Sequence, residues 1–436
     1  QHDAELFNRF EAYRQSQGEG MAPEAISQLL VDMGPFVGQF VATLFGVTEQ
    51  HQQQAAKIKD EFASIFTYKN EIVGKLSLAF KDEDPAAWDK AAIDMRFELL
   101  IAATFPDAAK DNDAERRVAR VGAAIGLLSA HYKLVAKGKD SDYHNADAAV
   151  KSLREKLAAQ PQTAAEFRDI IALPEPADFV QGLLEVVQRW SILAQNNPDI
   201  ADNWLSFKFP QKRDFDHLVE HDVIDKGEYS VWMGELKHRR RRDGFKLTDP
   251  RFNQREVLSE VDHCIYCHER DTDSCSKGMI NKKTRQFKVD PLGVTTTGCP
   301  LEEKISEMHL VKRGGDNIGA LSIVMIDNPM CPGTGHRICN DCMKGCIYQK
   351  TDPVNIPQIE TNVLTDVLFM PYGFEIYSLL TRWNPLNVKR PYMLPYNGKN
   401  ALVVGLGPAG YTMSHYLLNE GFGVAGIDAL KLEPLP

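Results

Sequence analysis

Eight cysteines fall between Cys264 and Cys346, and the 263 residues before them contain none. A secreted disulfide scaffold is short and stapled along its whole length, so this crowding points to metal ligands instead. The first run is His263-Cys264-Ile265-Tyr266-Cys267, then Cys275 after seven residues and Cys299-Pro300 after a further 23. The second is Cys331-Pro332, then Cys339-Asn340-Asp341-Cys342, then Cys346 after three residues. A two-residue gap turns both sulfurs to one centre while backbone N–H groups point at them. Thiolate and sulfide carry negative charge that such donors stabilise. Eight thiolates suffice for two four-iron clusters or for two four-coordinate zincs. For zinc, Cys264/Cys267 and Cys339/Cys342 would be the knuckles, with His263, His268, His309 and His336 as further donors.

A second motif lies near the C-terminus. The apolar stretch Lys399 to Val404 predicts a strand that runs into Gly405-Leu406-Gly407-Pro408-Ala409-Gly410. A helix over Tyr411 to Glu420 and a second strand, Gly423 to Ile427, follow, ending at Asp428. Gly405 permits the tight turn, Gly407 lets backbone approach a pyrophosphate, and Gly410 lets helix pack on strand. The helix N-terminus offers N–H groups to the phosphates, and Asp428, 23 residues after Gly405, would accept from a ribose hydroxyl. The sequence stops eight residues after Asp428. One βαβ unit is too little for a doubly wound sheet, so the expectation is a fragment or a fold completed by another chain. The absent initiator Met points the same way.

The elements positioning these motifs read as mainly helical. From Ala4 to about Lys237 the period is near 3.6 with few strand-like runs. Trp88, Ala92, Met95, Phe97, Leu99, Leu100, Ile101 and Phe105 give one apolar side, and Phe179, Leu183, Val186, Val187, Trp190 and Leu193 another; both read as core packing. Asp84, Pro85, Pro161, Pro174 and Pro198 sit between helices. Lys237 to Arg242, with four consecutive arginines, reads as a solvated domain boundary; its other reading is an anionic-ligand site. The cysteine region is rich in Gly and Pro, so its helices must be short. Thr361 to Leu380 is helical again, with a break at Pro371.

Composition sets the outer limits. A chain of 436 residues calls for more than one domain, and 60 acids against 50 bases argue against non-specific nucleic-acid or anionic-membrane binding. The longest apolar stretch, Pro35 to Val47, is too short to span a bilayer. The N-terminus carries no signal-peptide pattern, and a cytoplasmic chain is expected.

The order of motifs resembles the small subunit of glutamate synthase and the N-terminal half of dihydropyrimidine dehydrogenase, over about Asp262 to Asp428. The resemblance implies an NAD(P)H-linked iron–sulfur flavoprotein in which electrons pass between FAD and two 4Fe–4S clusters. It implies that Cys264, Cys267, Cys275 and the distant Cys346 hold one cluster. Cys299, Cys331 and Cys342 would hold the other, with Glu360 as fourth ligand. Cys339 is extra and competes with Glu360, and the Cys275–Cys299 and Cys331–Cys342 gaps are longer than the family's. Pro408 and Ala409 inside the glycine motif are similar to the family's FAD fingerprint. This sequence has no second glycine fingerprint, so NAD(P)H would bind a parent or partner chain, another redox subunit or the missing flavin domains. The expected fold is multidomain and mainly α: an all-α domain over residues 1–240, a helical two-cluster iron–sulfur domain over 241–391, and a truncated Rossmann-like βαβ unit over 392–436. The alternative is a zinc-stabilised helical scaffold or interaction protein with a nucleotide-binding remnant.

Overall fold

The computed structural model describes residues 3–219, 221–234, 244, 251–270, 273–335 and 338–429. It is mainly helical, and the described residues form two sheets of two strands each. The Lys237–Arg242 run lies outside the described residues. Two compact units emerge: Lys57–Phe209, and Gln1–Ala56 together with Pro210–Pro436.

This division corrects the expected boundary near residue 240. The helix Pro23–Leu44 buries Leu29, Leu30, Val37 and Val41, and it does so against the helices that frame the cysteine region. At Gly34 an added Cβ would meet the Val311 side chain at 3.2 Å and Ile323 at 3.5 Å; at Gly38 it would lie 2.2 Å from Asp316 Oδ1. Side chains at those positions would push the partner helix away, so the two glycines set how closely the backbones approach. Polar pairs reinforce the seam. Ser27 Oγ donates to Glu307, Asn317 Nδ2 donates to Gln54 Oε1 at 2.8 Å, and His51 Nε2 lies 2.9 Å from Asp316 Oδ1. The first 56 residues are therefore core of the cysteine unit. Pro23–Leu44 is also long and apolar enough to cross a membrane by length and composition, unlike the shorter stretch read from sequence.

The Lys57–Phe209 unit follows its sequence pattern closely. Asp89 caps Lys90–Thr104 by accepting from Ala92 N at 3.1 Å, and Asp113 caps Ala114–Val135 through Arg116 N. Phe97, Leu100 and Ile101 are buried as the first stripe requires, although Met95 is exposed. Phe179, Leu183, Val186 and Val187 are the buried face of Pro176–Gln195. Pro85, Pro161 and Pro198 each open a helical turn, where their missing N–H costs nothing.

Two further features belong to the cysteine unit. The stretch read as helical to Lys237 ends instead in an antiparallel hairpin, His221–Asp225 with Ser230–Gly234. Its Val223, Ile224 and Trp232 are β-formers that a helical period does not register. The helices Ile356–Leu368 and Gly373–Arg382 meet at a 116° bend across Pro371.

Candidate metal centres

The helix Gln254–His263 opens on a capping box between Asn253 and Glu256 and ends at Cys264. Beyond it Tyr266 takes a left-handed φ of 51°, which turns the Cys264–Cys267 segment back on itself. The Tyr266 N–H then points at Cys264 Sγ, 3.4 Å away. Cys275 sits in the short helix Ser274–Lys277, and Cys346 follows Asp341–Gly345. Cys264, Cys267, Cys275 and Cys346 line one pocket, together with Ile265, Ser274, Ile305, Ser306 and His309 among others. The N–H groups of Tyr348 and Val354 bond the Cys346 sulfur.

The long gap between Cys275 and Cys299 is folded outward. Residues 276–298 pair with themselves through the bridges Ile280–Phe287 and Val289–Thr295. The flap closes at its base, where Cys299 N donates to Cys275 O at 2.8 Å. An added Cβ on Gly298 would sit 2.4 Å from Gly278 N, so the base closes this tightly only with glycine there. The insertion thus lengthens the sequence without separating its two cysteines in space.

A second constellation gathers around Cys299. Its sulfur accepts from the N–H groups of Leu301 and Glu303, while Cys339 accepts from Asp341 N–H. Cys331 opens the turn Cys331–Thr334. Glu360, 6% exposed, reaches in from Ile356–Leu368, and its Oε1 accepts from Asn328 Nδ2 at 2.8 Å. Glu303, Cys299, Glu360 and Cys339 all act electrostatically on Cys342, and Glu360 and Glu303 on Cys331. Cys299, Cys331 and Cys342 are buried, whereas Cys339 is exposed.

None of the eight cysteines is in a disulfide. Burial pushes the Cys264 thiol up to about 12 and Cys299 to about 11. Cys275, Cys331 and Cys342 rise well above the ordinary thiol range, burial again being the main cause and neighbouring anionic groups adding to it. Burial, then Asp327, raises Glu303 to about 7, and burial, then Glu303, lifts Glu360 well above the carboxylate range. Burial disfavours the ionised form of each of these groups. Among the described residues no three His, Cys, Asp or Glu side chains converge as around a single ion.

The glycine turn has the expected form. Asn400–Val404 and Gly423–Ile427 pair in parallel around the helix Pro408–Asn419. Gly405 has φ +92°, and a Cβ on Gly410 would fall 1.7 Å from Gly405 O. Space is open around Gly407. The Asp428 carboxylate accepts from Leu406 N–H and so braces the turn.

Residues 1–46 match the RP005 N-terminal alpha-helical domain. The chain is 60% identical over 106 residues to the uncharacterized protein RP006 of Rickettsia prowazekii (strain Madrid E), covering 24% of this chain and 15% of that protein. It is 36% identical over 129 residues to the uncharacterized protein RP005 of the same organism, covering 28% of this chain and 40% of that one. It is similar to both. The chain spans well under two thirds of either relative, and no solved structure matches it. The matched segment 1–46 contains the Pro23–Leu44 helix, which here packs as part of the cysteine unit.

The histidines separate clearly. His263 stacks on Tyr348 and its Nε2 meets Asp352 O at 2.9 Å. His268 Nδ1 lies 2.6 Å from Ser306 Oγ. His309 is 1% exposed, and burial followed by the Lys312 charge lowers it to about 3, so its imidazole is neutral. His336 lies outside the described residues. Sequence reasoning missed Glu303, Asn328 and Ser274. The signal for Glu303 was its place four residues after Cys299, beside an already suspected ligand.

Proposed function

We propose that the cysteine unit is the electron-transfer part of an NAD(P)H-linked iron–sulfur flavoprotein. Cys264, Cys267, Cys275 and Cys346 would hold one 4Fe–4S cluster. Cys299, Cys331 and Cys342, with Glu360 or Cys339, would hold the second. The observation that carries this reading is the presence of Cys346, from the second run, in the pocket of the first run. Such interleaving is the wrapping of two-cluster proteins. Bound clusters take up and release single electrons, and a flavin exchanges them for a hydride's pair. The chain's own part is to bury the thiolates, aim N–H groups at their sulfurs and keep the two sets close through the Cys275–Cys299 backbone bond.

The glycine turn supports FAD binding through its pyrophosphate, with the isoalloxazine ring held by parts of a longer protein or a partner. Leu402, Val404 and Ile427 leave an apolar sheet face exposed, as befits a sheet that another packed layer would cover. FAD added to this chain should therefore wash away on gel filtration. A cytoplasmic location fits eight reduced thiols, and the net charge of −10 fits no nucleic-acid partner.

The deciding experiment is anaerobic purification of the 436-residue chain, followed by a visible spectrum and by iron, sulfide and zinc analysis. Brown protein with two four-iron complements and matching acid-labile sulfide is expected. Colourless, zinc-loaded protein would replace this reading with the zinc-stabilised scaffold.

A further inference from the structure

We infer that His309, with Ser274 beside it, donates hydrogen bonds to the sulfur of the cluster held by Cys264, Cys267, Cys275 and Cys346, and that His309 thereby sets this cluster's reduction potential. The inference rests on the proposed cluster and adds to it a residue that the cysteine order does not indicate.

Both side chains line the pocket that the four cysteines line. His309 is 1% exposed and Ser274 5% exposed. Neither ring nitrogen of His309, nor Ser274 Oγ, has a hydrogen-bond partner among the described residues. Buried polar groups are almost always bonded, so orphans converging on one pocket mark something that fills it. Other histidines of the same unit do find partners: His51 meets Asp316 and His263 meets the Asp352 carbonyl.

The chemistry of the orphans limits what fills the pocket. A neutral imidazole always carries one N–H, and a hydroxyl carries one O–H. Ser306 Oγ is engaged by His268 Nδ1 at 2.6 Å, and the remaining walls are cysteines, Tyr348 and aliphatic groups such as Ile265, Ile305, Val354 and Ile356, none of them an anionic acceptor. Cluster sulfide and ligating thiolate are the anionic acceptors that this donor set lacks. Four cysteines already match four irons, which leaves His309 as a donor rather than a ligand. Lys312, one helical turn along, is not available for the task, because its Nζ donates to Asp366 Oδ2 at 3.0 Å and Asn317 Oδ1 at 2.9 Å. Reduction adds negative charge to the cluster, so an N–H···S bond strengthens on reduction and raises the potential.

The test compares wild type, His309→Leu, His309→Gln and Ser274→Ala as full chains, by iron and sulfide content and by EPR-monitored redox titration. Iron content at the wild-type level is expected in all four. The first cluster's potential should move to more negative values in His309→Leu, less far in His309→Gln, which keeps a donor, and slightly in Ser274→Ala. The second cluster's potential should not move. An unchanged potential in iron-replete His309→Leu overturns the inference. So does loss of one iron to a three-iron signal, which would make His309 a ligand. If His309→Leu loses its cluster altogether, wild-type protein labelled with 15N-histidine decides: electron–nuclear double resonance should show a weak nitrogen coupling, and either none or one of Fe–N size overturns the proposal. Wild type without iron would fail earlier and sink the cluster reading itself.

Discussion

The unit Lys57–Phe209 and the cysteine unit bury different chemistry. In the first, Phe97, Leu100, Ile101, Phe179, Leu183 and Val187 make an ordinary apolar core. Tyr68 pairs with Ser191 at 2.7 Å and Glu115 with the N–H and hydroxyl of Ser206, while Thr163 Oγ1 is a buried atom there without a partner among the described residues. In the second, six buried cysteines share the interior with Glu303, Glu360, His268 and His309. Hydrophobic burial alone closes the first core. In the second, burial raises the thiols of Cys275, Cys299, Cys331, Cys342 and Cys346, and several buried polar atoms have no partner among the described residues. Under the proposed function, bound clusters would complete this interior.

The largest test of this contrast is Cys275→Ser. Loss of one cluster, with about half of the iron and of the visible absorbance, is expected. Hydrogen exchange should quicken through 264–299 and 331–346 while the helices of 57–209 keep their protection. Equal loss in both units would erase the distinction between them.

Within the second constellation, Glu360→Ala and Cys339→Ala should act unequally on the second cluster's EPR signal. Glu360 is buried and shares the neighbourhood of Cys331, while Cys339 is exposed, so Glu360→Ala should do the greater damage. Thiolate is the softer ligand for iron, which is why the comparison is informative. Indifference to both changes would remove both from the ligand set.

In the other unit the sharpest probe is Gly122→Ala. Its new methyl would lie 2.2 Å from Tyr68 Cδ2, a fully buried ring. Overpacking of this kind costs about 1–3 kcal/mol. Urea unfolding of 57–209 should register the loss with iron content unchanged, and a fall in iron would show that the units are not chemically independent.

The smallest expected effect concerns acid. The hydrogen bond from Arg116 is the main cause holding Asp111 down at about 2, below the roughly 3.9 of an unfolded aspartate. A depressed folded value means that the stabilisation is fully present above about pH 4 and fades as pH falls towards 2. Asp111→Asn should therefore lower the melting temperature slightly at pH 6, with the gap to wild type closing near pH 2. A gap independent of pH would assign the effect to packing instead.

What could be read before the fold was known was local or ordered along the chain. Helices over Lys90–Thr104 and Pro176–Gln195, the break at Pro371 and the strand–turn–helix at Gly405 follow from period, proline and glycine. The grouping of Cys346 with the first run came from resemblance in motif order. Spacing alone sets it beside Cys339 and Cys342.

The sequence by itself determined the helical class, the thiol inventory and the glycine turn, because each depends on residues near one another in the chain. Only the tertiary structure decided that residues 1–56 complete the cysteine unit. That outcome rests on shape: Gly34 and Gly38 admit Val311, Ile323 and Asp316 at close range, and no periodicity records which stripe will meet which. The same holds for His309. Its helix places it on a buried face, but its convergence with four cysteines arises from segments more than 80 residues apart, from Cys264 to Cys346, and so exists only in the folded chain.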